Sequence, residues 1–283
     1  MQNIDRIAAF EIGVMFWAGG HPRETLEELK AMGIRCGQLG IAGDLDLSCA
    51  EQWGTALAEA DFTVSTVFAA YKGESYADKP TVQATVGFVP PSARQEREQR
   101  TLEVSDFAAA IGAPAIATHV GCVPEDPNHP DYTAVLATVR KVCDHASKRG
   151  QKFALETGQE PAQVLMDFID RVQRPNLGIN FDPANMILYG TGDPVEALAT
   201  LGPKILSVHC KDGDWPPAGD RDALGKERAL GKGAVGMERF LRQLKKVGYE
   251  GPLNIEREAH DPVERLEDIR SAISLLRELK AAV

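Results

Sequence analysis

Short apolar runs alternate with amphipathic stretches of helical period eight times along the chain. The strand candidates are Phe10–Phe16, Arg35–Ile41, Thr63–Ala69, Ala115–His119, Lys152–Thr157, Leu177–Asp182, Ile205–Cys210 and Leu253–Arg257. Helix-period segments follow them, among them Pro22–Met32, Asp131–Lys148 and Arg265–Lys280. Regular alternation of this kind means parallel strands joined by helical crossovers. Eight units close a (β/α)8 TIM barrel more naturally than they extend an open sheet. No G-x-G-x-x-G motif opens a helix after the first strand, which weakens a dinucleotide-binding alternative. The length of 283 residues suits one such barrel spanning residues 1–283. Two connections are long, from about Tyr71 to Pro91 and from about Lys211 to Val235. Both fall after strands, on the side where barrels build their sites, and read as lids, substrate-shaping loops or surface decoration.

Alternation within the last four strands carries the chemistry, because successive side chains of a strand face opposite sides. Ala154 and Glu156 oppose Phe153 and Leu155. Gly178, Asn180 and Asp182 oppose Ile179 and Phe181. Ser207 and His209 oppose Leu206, Val208 and Cys210, and Asn254 and Glu256 oppose Leu253 and Ile255. With the bulky face against the helices, the small or polar face lines the barrel. Each lining face then ends, at the C-terminal mouth, in Glu156, Asp182, His209 or Glu256. Three carboxylates cannot stay ionised in one small site without a compensating cation, so these four residues are expected to bind one divalent metal ion. Hard oxygen donors with one imidazole favour Mn2+, with Mg2+, Co2+ and Zn2+ also able to bind.

Composition narrows the partners. A net charge of −10 argues against nucleic acid and against anionic membranes. No run of about 20 apolar residues is present to cross a membrane. The five cysteines are scattered and form no C-x-x-C pair, which points to a reducing compartment, as expected of the cytoplasm. The apolar run from Ile7 to Ala18 is broken by Glu11 and reads as a first strand rather than an export signal.

The segments FALETGQ (Phe153–Gln159), INFDPANM (Ile179–Met186), SVHCKD (Ser207–Asp212), LGKGAVGMERF (Leu230–Phe240) and GYEGPLNIERE (Gly248–Glu258) resemble the xylose-isomerase-like sugar isomerase and epimerase superfamily. The nearest branch is the ketose 3-epimerases, whose metal ligands match Glu156, Asp182, His209 and Glu256. The resemblance implies that Glu156 and Glu256 also form the acid–base pair. They would abstract a proton beside a carbonyl and return it through a metal-stabilised enediolate, on a small carbohydrate. It also implies a homo-oligomer. That branch commonly has a histidine, an arginine and a glutamate where this chain has Asn185, Trp215 and Ala162, positions that help grip the sugar. The departures leave open a metal-dependent dehydratase or lyase acting on a keto-cyclitol, a dehydroshikimate-like acid or a 3-keto-glycoside by the same enolate chemistry. An abasic-site endonuclease of the same fold is disfavoured by Asn185 and by the acidic charge. A sugar-binding or structural barrel without activity is disfavoured by the complete ligand set.

Further candidates for substrate contact are Trp17, His119, Gln159, Asn185 and Lys211. Trp17 ends the first strand and could stack on a sugar or simply pack. His119 shares a face with Ala115 and Ala117, and reaches a hydroxyl or stands as a satisfied core histidine. Gln159 and Asn185 read as hydroxyl-binding amides. Lys211, two residues past His209, could hold an oxyanion or make a surface ion pair. Gly231-Lys232-Gly233, just before a helix, is a weak signal for phosphate binding.

Overall fold

In a computed structural model of the protein, which describes residues 7–283, eight parallel strands close into a barrel. They are β1 (Ile12–Trp17), β2 (Cys36–Ile41), β3 (Thr63–Ala69), β4 (Ala115–Thr118), β5 (Lys152–Glu156), β6 (Leu177–Phe181), β7 (Ile205–Cys210) and, after a small hairpin, β10 (Leu253–Ile255). Their order around the barrel is β1-β10-β7-β6-β5-β4-β3-β2, so the last strand pairs with the first. The hairpin, β8 (Asp212–Asp214) against β9 (Lys226–Arg228), is antiparallel and stands outside the barrel. The helices are α1 (Pro22–Ala31), α2 (Ala50–Ala60), α3 (Lys79–Thr85), α4 (Pro91–Ala110), α5 (Pro130–Ser147), α6 (Ala162–Val172), α7 (Pro183–Tyr189), α8 (Pro194–Leu201), α9 (Met237–Lys246) and α10 (Pro262–Ala282).

The helices bury one stripe each. In α6, Leu165, Phe168, Ile169 and Val172 are buried, and α9 repeats the spacing with Met237, Phe240, Leu241 and Leu244. This is the three-and-four spacing that puts apolar residues on one helical face. Phe240 stacks on Phe181 of β6 with ring centroids 5.7 Å apart, fixing α9 over the outer face of that strand. Each fully buried side chain of this size stabilises the fold by about 1.5–3 kcal/mol relative to exposure. Aspartates start several helices: Asp193 accepts from the amides of Val195 and Glu196, and Asp261 does the same for Val263 and Glu264.

Several boundaries differ from expectation. The first strand starts at Ile12 rather than Phe10, because Phe10 turns the chain with φ 57°. Sheet pairing of the last strand ends at Ile255, so Glu256 and Arg257 lie just past it, although the Glu256 amide still donates to the Cys210 carbonyl at 3.2 Å. Neither long connection is featureless: the first contains α3 and the second contains the hairpin. The face expected for Leu206 is also corrected. The register between β6 and β7 shifts at Ile179/Asn180, so that Asn180 pairs with Ser207 and Leu206 is passed over. This bulge turns Leu206 inward, against Gly178, where a Cβ on the glycine would lie 2.5 Å from the leucine Cγ. Leu206 joins Met15, Phe68, Ala117 and Ala154 in an apolar plug within the barrel, beneath the mouth.

Candidate metal centre and cavity

The interior faces of β5, β6, β7 and β10 meet at the mouth as alternation requires. One ligand atom each from Glu156, Asp182, His209 and Glu256 can be chosen so that all four lie within 4.8 Å of one another. Local structure holds each residue. Asp182 begins α7, and its Oδ1 accepts the Asn185 amide at 3.0 Å, as an N-cap does. The Thr157 hydroxyl locks the Asp182 backbone, accepting from its N–H and donating to its carbonyl, both at 2.8 Å. The cap leaves Oδ2 facing the centre. On Glu156, Oε1 accepts from the Asn185 side-chain amide at 2.9 Å and Oε2 from that of Asn180 at 3.3 Å.

His209 is oriented from across the barrel. Its Nε2 lies 3.0 Å from Oε1 of Gln38 on β2, and the Gln38 amide donates to Asn180 Oδ1 at 2.9 Å. Ser207 donates to the same Asn180 oxygen. Gln38 Oε1 can only accept, so this network places the ring proton on Nε2 and leaves Nδ1 turned to the carboxylates. Nδ1 stands 3.0 Å from Glu256 Oε2, 3.4 Å from Glu156 Oε1 and 3.6 Å from Asp182 Oδ2.

These atoms are near neighbours without hydrogen-bond alignment. Asp182 Oδ2, His209 Nδ1 and Glu256 Oε2 are all buried and without a hydrogen-bond partner. Buried polar atoms almost always make aligned hydrogen bonds, and three ligand atoms that converge on one point without such bonds fit a divalent cation. Within the cluster the charges answer one another. Burial alone would depress the His209 imidazole, but Glu256 and Glu156 overcome it and hold the ring well above its ordinary range. Burial likewise works against ionised Glu256, yet His209 and Lys211 hold its carboxyl well below the usual carboxylate range. Lys211 is only 4% exposed. Its Nζ lies 3.1 Å from Glu256, 3.0 Å from Glu258 and 3.8 Å from Asp182, and these carboxylates keep it protonated despite burial.

Above the centre opens a cavity of about 610 Å³. Trp17, His119, Asn185 and Lys211 line it; Gln159 does not, and lies behind His119. The Gln159 amide is 3.3 Å from His119 Nδ1, so it serves as a donor there and leaves Nε2–H pointing toward Glu156, 3.9 Å away. Asn185 spends its amide on Glu156. Trp215 is 45% exposed and outside the lining. Sequence reasoning did not single out Gln38, Asn180, Tyr76, Glu227 or Glu258. Asn180 and Glu258 were signalled by period-two spacing with Asp182 and Glu256. Tyr76 lies in a loop and Glu227 in the hairpin, and neither had a periodic signal.

The profile of the xylose isomerase-like TIM barrel family matches residues 4–279 of this sequence. The chain belongs to that family. Among solved structures, it is similar to a xylose isomerase domain protein from Planctomyces limnophilus, at 41% identity and TM-score 0.90, over 97% of this chain and 99% of the other. The fold is also shared with two enzymes of lower identity. One is the 3-keto-D-glucoside 4-epimerase YcjR of E. coli, at 18% identity and TM-score 0.70, over 95% and 99% of the two chains. The other is a D-psicose 3-epimerase from Clostridium cellulolyticum H10, solved with D-tagatose, at 15% identity and TM-score 0.70, over 95% and 99%. Among the described residues of this family member, no helix is long and apolar enough to cross a membrane, and all five cysteines are free.

Proposed function

We propose that the protein is a divalent-metal-dependent carbohydrate isomerase of the epimerase kind, which moves a proton at a carbon beside a carbonyl. The observation that carries this reading is the convergence of buried ligand atoms on Asp182, His209 and Glu256 that make no aligned hydrogen bond, closed by Glu156, at the floor of the cavity. Glu156, Asp182, His209 and Glu256 would hold the ion, Mn2+ by preference for this oxygen-rich set, with Mg2+, Co2+ or Zn2+ as substitutes. Such an ion supplies Lewis acidity worth several kcal/mol in acidifying a proton next to a carbonyl.

The chain's own residues do the rest. Two strands, β6 and β7, separate the bearers of Glu156 and Glu256 in the barrel order, so the two carboxylates approach from different sides. One glutamate takes the proton and the other returns a proton on the opposite face, which inverts the centre. His209 and Lys211 hold Glu256 in the ionised form that a base needs, against its burial. Asn185 and Asn180 fix the plane of the Glu156 carboxylate. His119, braced by Gln159, offers its Nε2–H to a substrate oxygen, and Trp17 borders the cavity where a ring could lie. That two barrels of the same fold are named epimerases accords with the reading. The free thiols suit a reducing, cytoplasmic setting.

The test incubates metal-loaded protein in D2O with ketoses, keto-cyclitols and keto-glycosides, read by NMR. One proton beside the carbonyl should exchange, and a second epimer should appear. Glu156→Gln and Glu256→Gln should each slow exchange by at least about 100-fold. Normal turnover by Glu256→Gln at full metal occupancy would overturn the two-base scheme. A product absorbing in the ultraviolet as an unsaturated ketone would assign elimination instead.

A further inference from the structure

The Gly231-Lys232-Gly233 segment, which by sequence resembles a phosphate-binding turn, is already occupied by an anion from the chain itself. Asp212 is buried on β8. Its Oδ2 accepts the amides of Gly231 and Gly233 at 2.9 and 3.0 Å, and its Oδ1 those of Gly213 and Val235 at 2.9 and 3.1 Å. Four convergent backbone donors make an anion-binding nest. Here the nest is filled from within, and none of the four amides remains for a substrate phosphate.

The cavity offers an anion little else. Among the described residues, Lys211 is the one cationic side chain in the lining, and three carboxylates surround it. Glu74, Glu227 and Glu258 also line the cavity. Glu74 is spent on the amides of Tyr71 and Gly87, and Glu227 on Arg257 at 2.8 Å. With Glu156, Asp182 and Glu256 these make six carboxylates against Lys211 and Arg257. With a dication bound and His209 a neutral ligand, an excess of two negative charges remains. The rim is aromatic as well as acidic. Trp17, at the end of β1, is 50% exposed, and Tyr76, in the connection after β3, is 43% exposed. Rings left half in water at the mouth of a binding cavity present flat apolar faces, which suit the C–H faces of a sugar ring.

We infer that this site takes an uncharged carbohydrate with an apolar ring face and turns away sugar phosphates and sugar acids. The inference rests on the reading of the cavity as a sugar site, and adds the class of sugar. A substrate anion here would face carboxylates that outnumber the cations, whereas a hydroxylated neutral ring meets acceptors, the His119 donor and aromatic faces without that repulsion.

Saturation-transfer NMR on the full chain with Mg2+ separates the classes. The matched pairs are D-fructose with D-fructose 6-phosphate, and methyl β-D-glucopyranoside with D-glucose 6-phosphate and with D-glucuronate. The uncharged member should bind at least about tenfold more tightly, equivalent to about 1.4 kcal/mol. Trp17→Ala should weaken it. The double variant Glu227→Gln, Glu258→Gln, checked for folding by its melting temperature, should narrow the gap by admitting the phosphorylated member. Equal or tighter binding of the charged members overturns the inference, as does an absence of binding by every uncharged sugar, or a gap unmoved by the double variant. Uncharged binding without proton exchange in D2O would sink the isomerase reading and leave this inference standing.

Discussion

Glu160 shows how burial rewrites a residue that looks ordinary in sequence. It is 4% exposed, with Oε1 accepting the Val123 amide at 2.9 Å and Oε2 without a partner. Burial pushes its carboxyl up to about 8, so the folded chain keeps a proton there that the unfolded chain releases near 4.5. The folded state binds the extra proton between those values, and the stability it brings is whole below about 4.5 and lost as pH rises through about 8. Glu160→Gln, which mimics the protonated form, should match the parent near pH 4.5. Above pH 8 it should melt higher by roughly 5 °C or more, measured by calorimetry across pH. A difference that does not grow with pH would mean the carboxyl is ionised in the fold. Nothing in T-G-Q-E-P announced this residue, since its environment comes from the loop after β4. The four candidate ligands were legible because each sits at a fixed parity on its own strand. Gln38, which sets the His209 tautomer, was not, because the pairing spans 171 positions of sequence.

At the scale of elements, the connection after β3 is held to the one after β4 by two glycines in the left-handed region. Gly87 has φ 69°, and a Cβ there would meet the Val120 carbonyl carbon and oxygen at 2.2 Å; Gly121 faces the Val86 carbonyl in the same way. The Phe88 amide closes the contact on Val120 at 2.8 Å, and buried Arg97 donates to the Gly87 carbonyl at 2.6 Å. Gly87→Ala should cost about 1–3 kcal/mol in urea unfolding, from strain and the steric clash. Gly54→Ala, inside α2 with only ordinary contacts for an added Cβ, should be neutral or gain up to about 1 kcal/mol. If the two variants behaved alike, the close approach would not be what fixes the loop. The alternation that predicted the barrel strands fails at the β6–β7 bulge, because parity counts residues and a bulge adds one to a single strand. Leu206 therefore faces the plug, a placement that only the register reveals.

For the whole molecule, barrel closure brings together side chains from β5 to the end of β10, a span of 100 residues between Glu156 and Glu256. A cation held by all four would bind the folded chain and not the unfolded one. Mn2+ at about 100 times its dissociation constant should add about 2.7 kcal/mol and raise the melting temperature, while a chelator should reverse the rise. Asp182→Asn should abolish most of it, and an unchanged melting curve for the parent protein would remove the metal centre from the account. The eightfold alternation was readable because parallel strands cannot be linked without crossovers, each of which leaves a periodic stripe. What the two long connections contain was not, since a short helix and a pair of three-residue strands leave almost none.

The internal anion of the hairpin wall has a kinetic consequence. With the amides of residues 213, 231, 233 and 235 already gathered on Asp212, the ordering of that wall is completed during folding. On the proposed reading, a sugar would arrive at a surface whose shape is settled, and its entry would require no ordering of that wall. Stopped-flow tryptophan fluorescence should show a single phase whose rate climbs in proportion to sugar concentration; a plateau would reveal a rearrangement that waits for the ligand.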